Sequence, residues 1–223
     1  MKTLLAASLL CNLVAASVAT THWIHHLNAV PAASAKSYYD RRNSLFDQLQ
    51  QSSRGEIVFA GDSTTAQCEW RELLSVPAVN RGIDSDTTGG LLKRIHGITA
   101  LQPTKLFLLI GTNDLHEGLS LDVIVRNYRD ILFAVRAESP GTTVYVQSIL
   151  PHHLLAANTV RSLNAALLEL AKEQGATYID INSALSGTNG RLRPEYTNDG
   201  VHLMGSGYAR WRAVLIATGA ING

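Results

Sequence analysis

Five short apolar runs, separated by longer stretches of helical period, constrain the fold of this chain more than any other feature. The runs cover 56–61, 77–81, 105–110, 143–149 and 177–181. The third is apolar on nearly every residue after Lys105, the pattern of a strand covered on both faces. Between the runs, apolar residues recur every three or four positions. The clearest example is 121–138, where Leu121, Ile124, Val125, Tyr128, Ile131, Leu132 and Val135 fall on one side. Helices are also expected over 34–51, 66–74, 88–96, 154–174 and 206–217. Ser34 is placed to cap the first, with Tyr38, Leu45, Phe46 and Leu49 on its apolar side. Gly97 and Gly175 are placed to end the third and fourth. Strands alternating with helices imply a parallel sheet between two helical layers, a three-layer α/β/α sandwich. Five strands favour the flavodoxin-like order 2-1-3-4-5.

The chain carries 19 Lys and Arg against 18 Asp and Glu, without a basic stripe, so nucleic acid is not a suggested partner. The first residues have the form of an export signal. Lys2 supplies the positive end, 4–18 the apolar core, and Ser17-Val18-Ala19 the small-x-small cleavage site before Thr20. The apolar run is short for a membrane span, so no stable membrane insertion is expected after processing. Cys11 does not fit a lipid-modified cysteine, because Leu10 stands where a small residue is expected. With 1–19 removed, Cys68 is the only cysteine, and no internal disulfide can form. A secreted or periplasmic protein is the expectation. An irregular arm over 20–33 carries His22, His25 and His26, with no Cys, Asp or Glu beside them to complete a metal site.

In a doubly wound sheet the carboxyl ends of the strands line one crevice. The first strand ends in Gly61-Asp62-Ser63-Thr64-Thr65, the second at Gly82, and the third at Gly111-Thr112-Asn113-Asp114; the loop after the fifth reaches Asp199-Gly200-Val201-His202. These residue types suit acyl transfer. Ser63 would attack a carbonyl, His202 would take and return the proton, and Asp199 would hold the imidazole in the needed tautomer. The backbone N–H groups of Ser63 and Gly82 and the carboxamide of Asn113 would face the oxyanion. Each piece alone is also what turns and helix caps contain; their conjunction at strand ends carries the reading.

Together these motifs resemble the SGNH hydrolases, the GDSL-type esterase/lipase family. Ser63, Gly82, Asn113 and His202 match its four signature residues in chain order. Val79-Asn80-Arg81-Gly82-Ile83, Ile110-Gly111-Thr112-Asn113-Asp114 and Asp199-Gly200-Val201-His202-Leu203, then Gly207-Tyr208 and Trp211, resemble the branch containing platelet-activating-factor acetylhydrolase catalytic subunits and bacterial acetylesterases. The resemblance runs from about Tyr38 to the C-terminus. It implies ester hydrolysis through an acyl-serine, without metal or cofactor, on a small-molecule or glycan ester.

Two positions depart from the pattern. Thr64 replaces the Leu of Gly-Asp-Ser-Leu, and Ser85 stands where a second glycine often follows Gly82. Asp84 and Asp86 flank Ser85 and read as loop residues, and Asp62 as an anchor for the Ser63 turn. His152 and His153 are candidates to line the acyl or alcohol pocket; Arg191, Arg193 and Tyr196, just before Asp199, are either contacts for the leaving group or part of a solvated loop; Cys68 and Trp70 read as core.

The leading expectation is removal of a short acyl group, acetyl foremost, from a carbohydrate or similar alcohol. Lysophospholipase, arylesterase and thioesterase activities share the motifs. A flavodoxin-like phosphate cradle at 61–65 would set Asp62 against the anion and leave Asp199 and His202 without a role. A non-catalytic glycan-binding module would have no need of Ser63, Asn113 and His202 together.

Overall fold

The computed structural model describes residues 36–50, 52 and 54–222. The proposed export signal, Cys11, the histidine-bearing arm and Ser34 lie outside the described residues. The chain divides into two units, Met1–Arg41 and Arg42–Gly223. Of the first, the described residues 36–41 are helical, the start of helix α1 over 36–48. The second contains the sheet and all that follows.

Five parallel strands form that sheet: β1 (Ile57–Gly61), β2 (Ala78–Gly82), β3 (Lys105–Leu109), β4 (Thr143–Gln147) and β5 (Thr177–Ile179). Their order is β2-β1-β3-β4-β5, as the alternation of runs implied. Successive side chains of a strand point to opposite faces, and the core divides accordingly. Val58, Ala60, Leu106, Leu108 and Val146 face one layer, made of α4 (Thr88–Lys93), α5 (Ile95–Thr99), α7 (Leu121–Glu138) and α8 (Ala157–Glu173). Phe59, Phe107, Leu109 and Tyr145 face the other, made of α3 (Trp70–Leu74), α9 (Asn182–Leu185) and α10 (Gly205–Ala217). Two more short helices, α2 (Ser63–Ala66) and α6 (Thr112–His116), sit at strand ends. Among the described residues no helix is long and apolar enough to cross a membrane.

The second face holds an aromatic stack that determines where α2 lies. Phe59, Phe107 and Tyr145 are register partners across β1, β3 and β4, with centroids 4.5 and 4.6 Å apart. Trp70 stacks on Phe59 at 3.9 Å and meets Trp211 edge-on at 4.9 Å. Buried Trp and Tyr need partners for their polar tips, and two of these tips go to α2. Trp70 Nε1–H donates to Thr65 O at 2.9 Å, and Tyr208 O–H donates to Thr64 O at 2.8 Å. The helix that begins with Ser63 is therefore tied to the core through its carbonyls.

Several boundaries differ from expectation. The stretch 66–74 is not one helix: α2 and α3 are separated at 67–69, and α2 begins at Ser63 itself. The stretch 88–96 is also two helices, and Gly97 lies inside α5 rather than capping α4. Arg94 stands at that break, its guanidinium drawn into the core to Asp86 at 2.7 Å, Arg81 O at 2.8 Å and Gly61 O at 3.3 Å. Leu45 and Leu49, assigned to the apolar side of the first helix, are exposed. Phe46 is buried, with the Arg42 and Arg81 guanidinium groups each 4.8 Å from its ring centroid.

Candidate active site

β1 runs straight into the turn that presents Ser63. Asp62 caps α2, its Oδ1 accepting from Thr64 N at 3.0 Å. Burial pushes the Asp62 carboxyl up to about 7, against the lowering effect of the Thr64 hydrogen bonds. Its Oδ2 is buried without a partner among the described residues. Ser63, the first residue of the helix, has an N–H that no helical carbonyl can reach.

The side chain of Ser63 meets the loop that follows β5. Ser63 Oγ lies 3.1 Å from His202 Nε2, and His202 Nδ1 lies 2.7 Å from Asp199 Oδ2. The other Asp199 oxygen accepts from the backbone N–H groups of Val201 and His202, each at 2.8 Å, so the carboxylate is fixed by its own loop. Burial acts to raise the Asp199 carboxyl, but the hydrogen bonds from the His202 side chain and backbone and from Val201 N–H outweigh it and hold it well below the usual carboxylate range. An ionised partner on Nδ1 fixes the proton there and leaves Nε2 as the acceptor for Ser63 Oγ–H. The chain of contacts can carry a proton from a serine to a leaving group.

A crevice of about 320 Å³ opens above this chain and is lined by Ser63, Ser85, Asn113, His152 and His202 among others. Gly111, at φ +123°, turns the chain from β3 into α6 and so delivers Asn113 to the crevice. Asn113 Nδ2 donates one hydrogen to Asp86 O at 2.8 Å, which leaves its second for a ligand.

Gly82 does not reach the site, and the oxyanion role expected for it is corrected. Its N–H donates to Asn80 Oδ1 at 2.8 Å. Asn80 Nδ2 in turn binds Thr65 O, Ala66 O and Cys68 O at 2.9, 2.9 and 3.0 Å. A Cβ at residue 82 would lie 2.3 Å from Ala66 N, so this glycine lets β2 abut the end of α2. The crevice position belongs to Ser85 instead, whose N–H has no partner among the described residues. Asp86 N donates to Ile83 O at 3.1 Å, closing a β-turn whose third residue is Ser85 at φ +62°. That placement is ordinarily glycine's. A left-handed non-glycine residue costs about 1–2 kcal/mol. Ser85→Gly is therefore expected to raise stability by about 0.5–1 kcal/mol, part of the gain being offset by the freer unfolded chain. Thermal unfolding of the two proteins checks this; an unchanged or lowered midpoint would show that the turn is unstrained.

The two carboxylates around Ser85 separate in role. Asp86 is structural: 2% exposed and paired with Arg94. Asp84 lines the crevice, with its Oδ1 buried and without a partner among the described residues. His152 lines the crevice, whereas His153 is exposed, stacked on His152 at 5.5 Å. Arg191, Arg193 and Tyr196 do not line it; Arg193 pairs with Glu195 at 3.4 Å. Cys68 and Trp70 are core residues, and burial pushes the Cys68 thiol up to about 12. Sequence reasoning missed His116, which α6 brings against His152 with ring centroids 4.9 Å apart. The Asn-Asp-Leu-His spacing from Asn113 was the available signal, since a helix begun at Thr112 carries both to one end of the sheet.

Residues 59–210 match the model of the GDSL-like lipase/acylhydrolase family. Among solved structures, a candidate platelet activating factor from Streptococcus pneumoniae is 27% identical, with a TM-score of 0.79 over 85% of this chain and 96% of that one. A candidate acylhydrolase from Bacteroides fragilis is 26% identical, with a TM-score of 0.66 over 74% and 86%. An acetylxylan esterase from Geobacillus stearothermophilus, 17% identical over 74% and 94%, shares the fold with a TM-score of 0.61. No curated protein matches the chain.

Proposed function

The chain belongs to the GDSL-like lipase/acylhydrolase family and is a hydrolase of carboxylic esters, and on that footing we propose that it is an exported serine esterase removing short acyl groups, acetyl foremost, from carbohydrate-like alcohols. The contact carrying the mechanistic part is Ser63 Oγ to His202 Nε2 at 3.1 Å, continued by His202 Nδ1 to Asp199 Oδ2 at 2.7 Å. In this reading Ser63 Oγ attacks the ester carbonyl while its proton passes to His202 Nε2. The oxyanion is met by the N–H groups of Ser63 and Ser85 and the spare hydrogen of Asn113 Nδ2, each worth about 10²–10³ in turnover. His202 then protonates the leaving alcohol. Water, deprotonated by the same imidazole, releases the acid from the acyl-serine.

The crevice supports a small acyl group, since about 320 Å³ is at the low end of the roughly 300–1,000 Å³ of ligand pockets. Its lining is mixed, and beside the apolar Leu150, Pro151 and Val201 the side chains of Gln67, Asp84, Ser85 and His152 offer hydrogen-bonding groups to a hydroxyl-bearing alcohol. Export rests on Lys2, the apolar run over 4–18 and the Ser17-Val18-Ala19 site.

One preparation tests both parts. When the full chain is expressed in a bacterium, the active fraction is expected outside the cytoplasm with Thr20 as its first residue. Its rates on p-nitrophenyl esters are expected to fall from acetate to butyrate to octanoate, and acetate is expected to be released from acetylated sugars. A cytoplasmic, unprocessed enzyme would end the export reading, and octanoate as the fastest ester would end the short-acyl reading in favour of lipids.

A further inference from the structure

His152 is a crevice residue with no part in the Ser63–His202–Asp199 chain. It follows β4, is 4% exposed, and has a defined protonation pattern. Leu154 N, which can only donate, points its hydrogen at His152 Nδ1 at 3.1 Å. Nδ1 is thus the acceptor, and the ring proton sits on Nε2. No protein group among the described residues accepts from Nε2. Burial, then the neighbouring His116, His153 and His202, pull the ring down to about 4, so it stays neutral in this tautomer through the neutral range.

The side of the crevice follows from the chemistry. The leaving oxygen must come within reach of His202 Nε2 to be protonated. His152 stands on that side: His153 N donates to Gly200 O at 3.0 Å, tying the loop after β4 to the loop bearing His202. His152, Val201 and His202 also line the same crevice. Ser85 belongs to the loop after β2, beyond β1 and β3 from the loop of His152. We infer that His152 is a specificity residue, its Nε2–H donating to a hydroxyl or ether oxygen of the alcohol portion of the ester, so that the enzyme selects polyol or sugar esters over esters of plain alcohols. The inference rests on the acyl-serine reading above and extends it to the leaving group.

The test compares two acetates of similar ring size, methyl 2-O-acetyl-β-D-xylopyranoside and cyclohexyl acetate, the second without hydroxyls or ring oxygen. The readout is the ratio of their kcat/KM values, in wild type, His152→Leu and His152→Gln. Wild type is expected to favour the xyloside. His152→Leu is expected to cut the ratio about tenfold, the worth of one such hydrogen bond with its unmet partner. His152→Gln, which can place an amide N–H near the former Nε2, is expected to recover much of it. A wild-type ratio near one, or variants that lower both substrates equally, would overturn the assignment while leaving the acyl-serine mechanism intact. Should His152→Leu fail to fold, His152→Asn, whose amide can keep an acceptor near Leu154 N but places no donor at the former Nε2, decides through the same expected drop in the ratio. If Ser63→Ala cleaves both acetates as wild type does, the mechanism fails first and the inference with it, a result distinct from the other two.

Discussion

Ser63→Ala is expected to lower kcat on p-nitrophenyl acetate by about 10⁶, the loss found when a serine hydrolase loses its nucleophile. The fold should be unaffected. Among the described residues the Ser63 side chain has one hydrogen-bond partner, His202, and that contact is partly open to solvent. Helix α2 is held by other groups: the Asp62 cap, Trp70 on Thr65 O and Tyr208 on Thr64 O. The melting temperature should therefore stay close to that of wild type, and KM should change little. The expected residue of activity over water comes from the oxyanion donors and binding. The check is steady-state kinetics together with intact-protein mass after a brief mix with p-nitrophenyl acetate. Wild type should carry a transient acetyl group and the variant none. A variant losing less than about tenfold would mean that water, not Ser63, is the attacking group, with His202 and Asp199 acting as its base.

Period and punctuation made most of the fold legible. β3 could be read because a strand buried on both faces has almost no polar residue to confuse the pattern, and α7 because seven apolar residues keep helical spacing within a helix of 18 residues. The breaks inside 66–74 and 88–96 were not legible, because tertiary contacts cause them. Arg94 reads locally as a solvated helix residue, and only Asp86, Arg81 O and Gly61 O give it a reason to turn inward. The same limit explains Gly82. In sequence, a glycine at a strand end looks like an exposed donor. In the fold its N–H is taken by Asn80, and its missing Cβ serves the approach of Ala66. Ser85 carried the counter-signal, standing where a second glycine was expected, but only φ +62° and the crevice lining show that the position, rather than the residue type, matters. Asp199 and His202 lie three apart in one loop, so their contact was open to local reasoning.

Asp199→Asn should separate the two things that this residue does. One oxygen holds the loop by accepting from Val201 N and His202 N, and the carboxamide oxygen of Asn can keep those bonds. The other oxygen faces His202 Nδ1 at 2.7 Å, and there the amide presents N–H in place of an acceptor. A donor at that point drives the imidazole proton from Nδ1 to Nε2, and the ring then offers Ser63 a hydrogen where it needs a lone pair. The expected loss in kcat is about 10⁴, as for the same change in another serine hydrolase. Stability should move far less, and in a direction fixed by the carboxyl. Its folded pKa lies below the unfolded one, so its contribution is present above the unfolded value of roughly 4 and disappears as pH falls through the folded value. The gap in melting temperature between wild type and variant should therefore be small at pH 7, because the side chain is about half exposed, and smaller at pH 3. A large kinetic loss with a small, acid-sensitive stability change would identify the tautomer as what Asp199 controls. A loss below tenfold would mean that His202 keeps its tautomer without the carboxylate, and the orienting role would pass from the Asp199 side chain to the backbone of its loop.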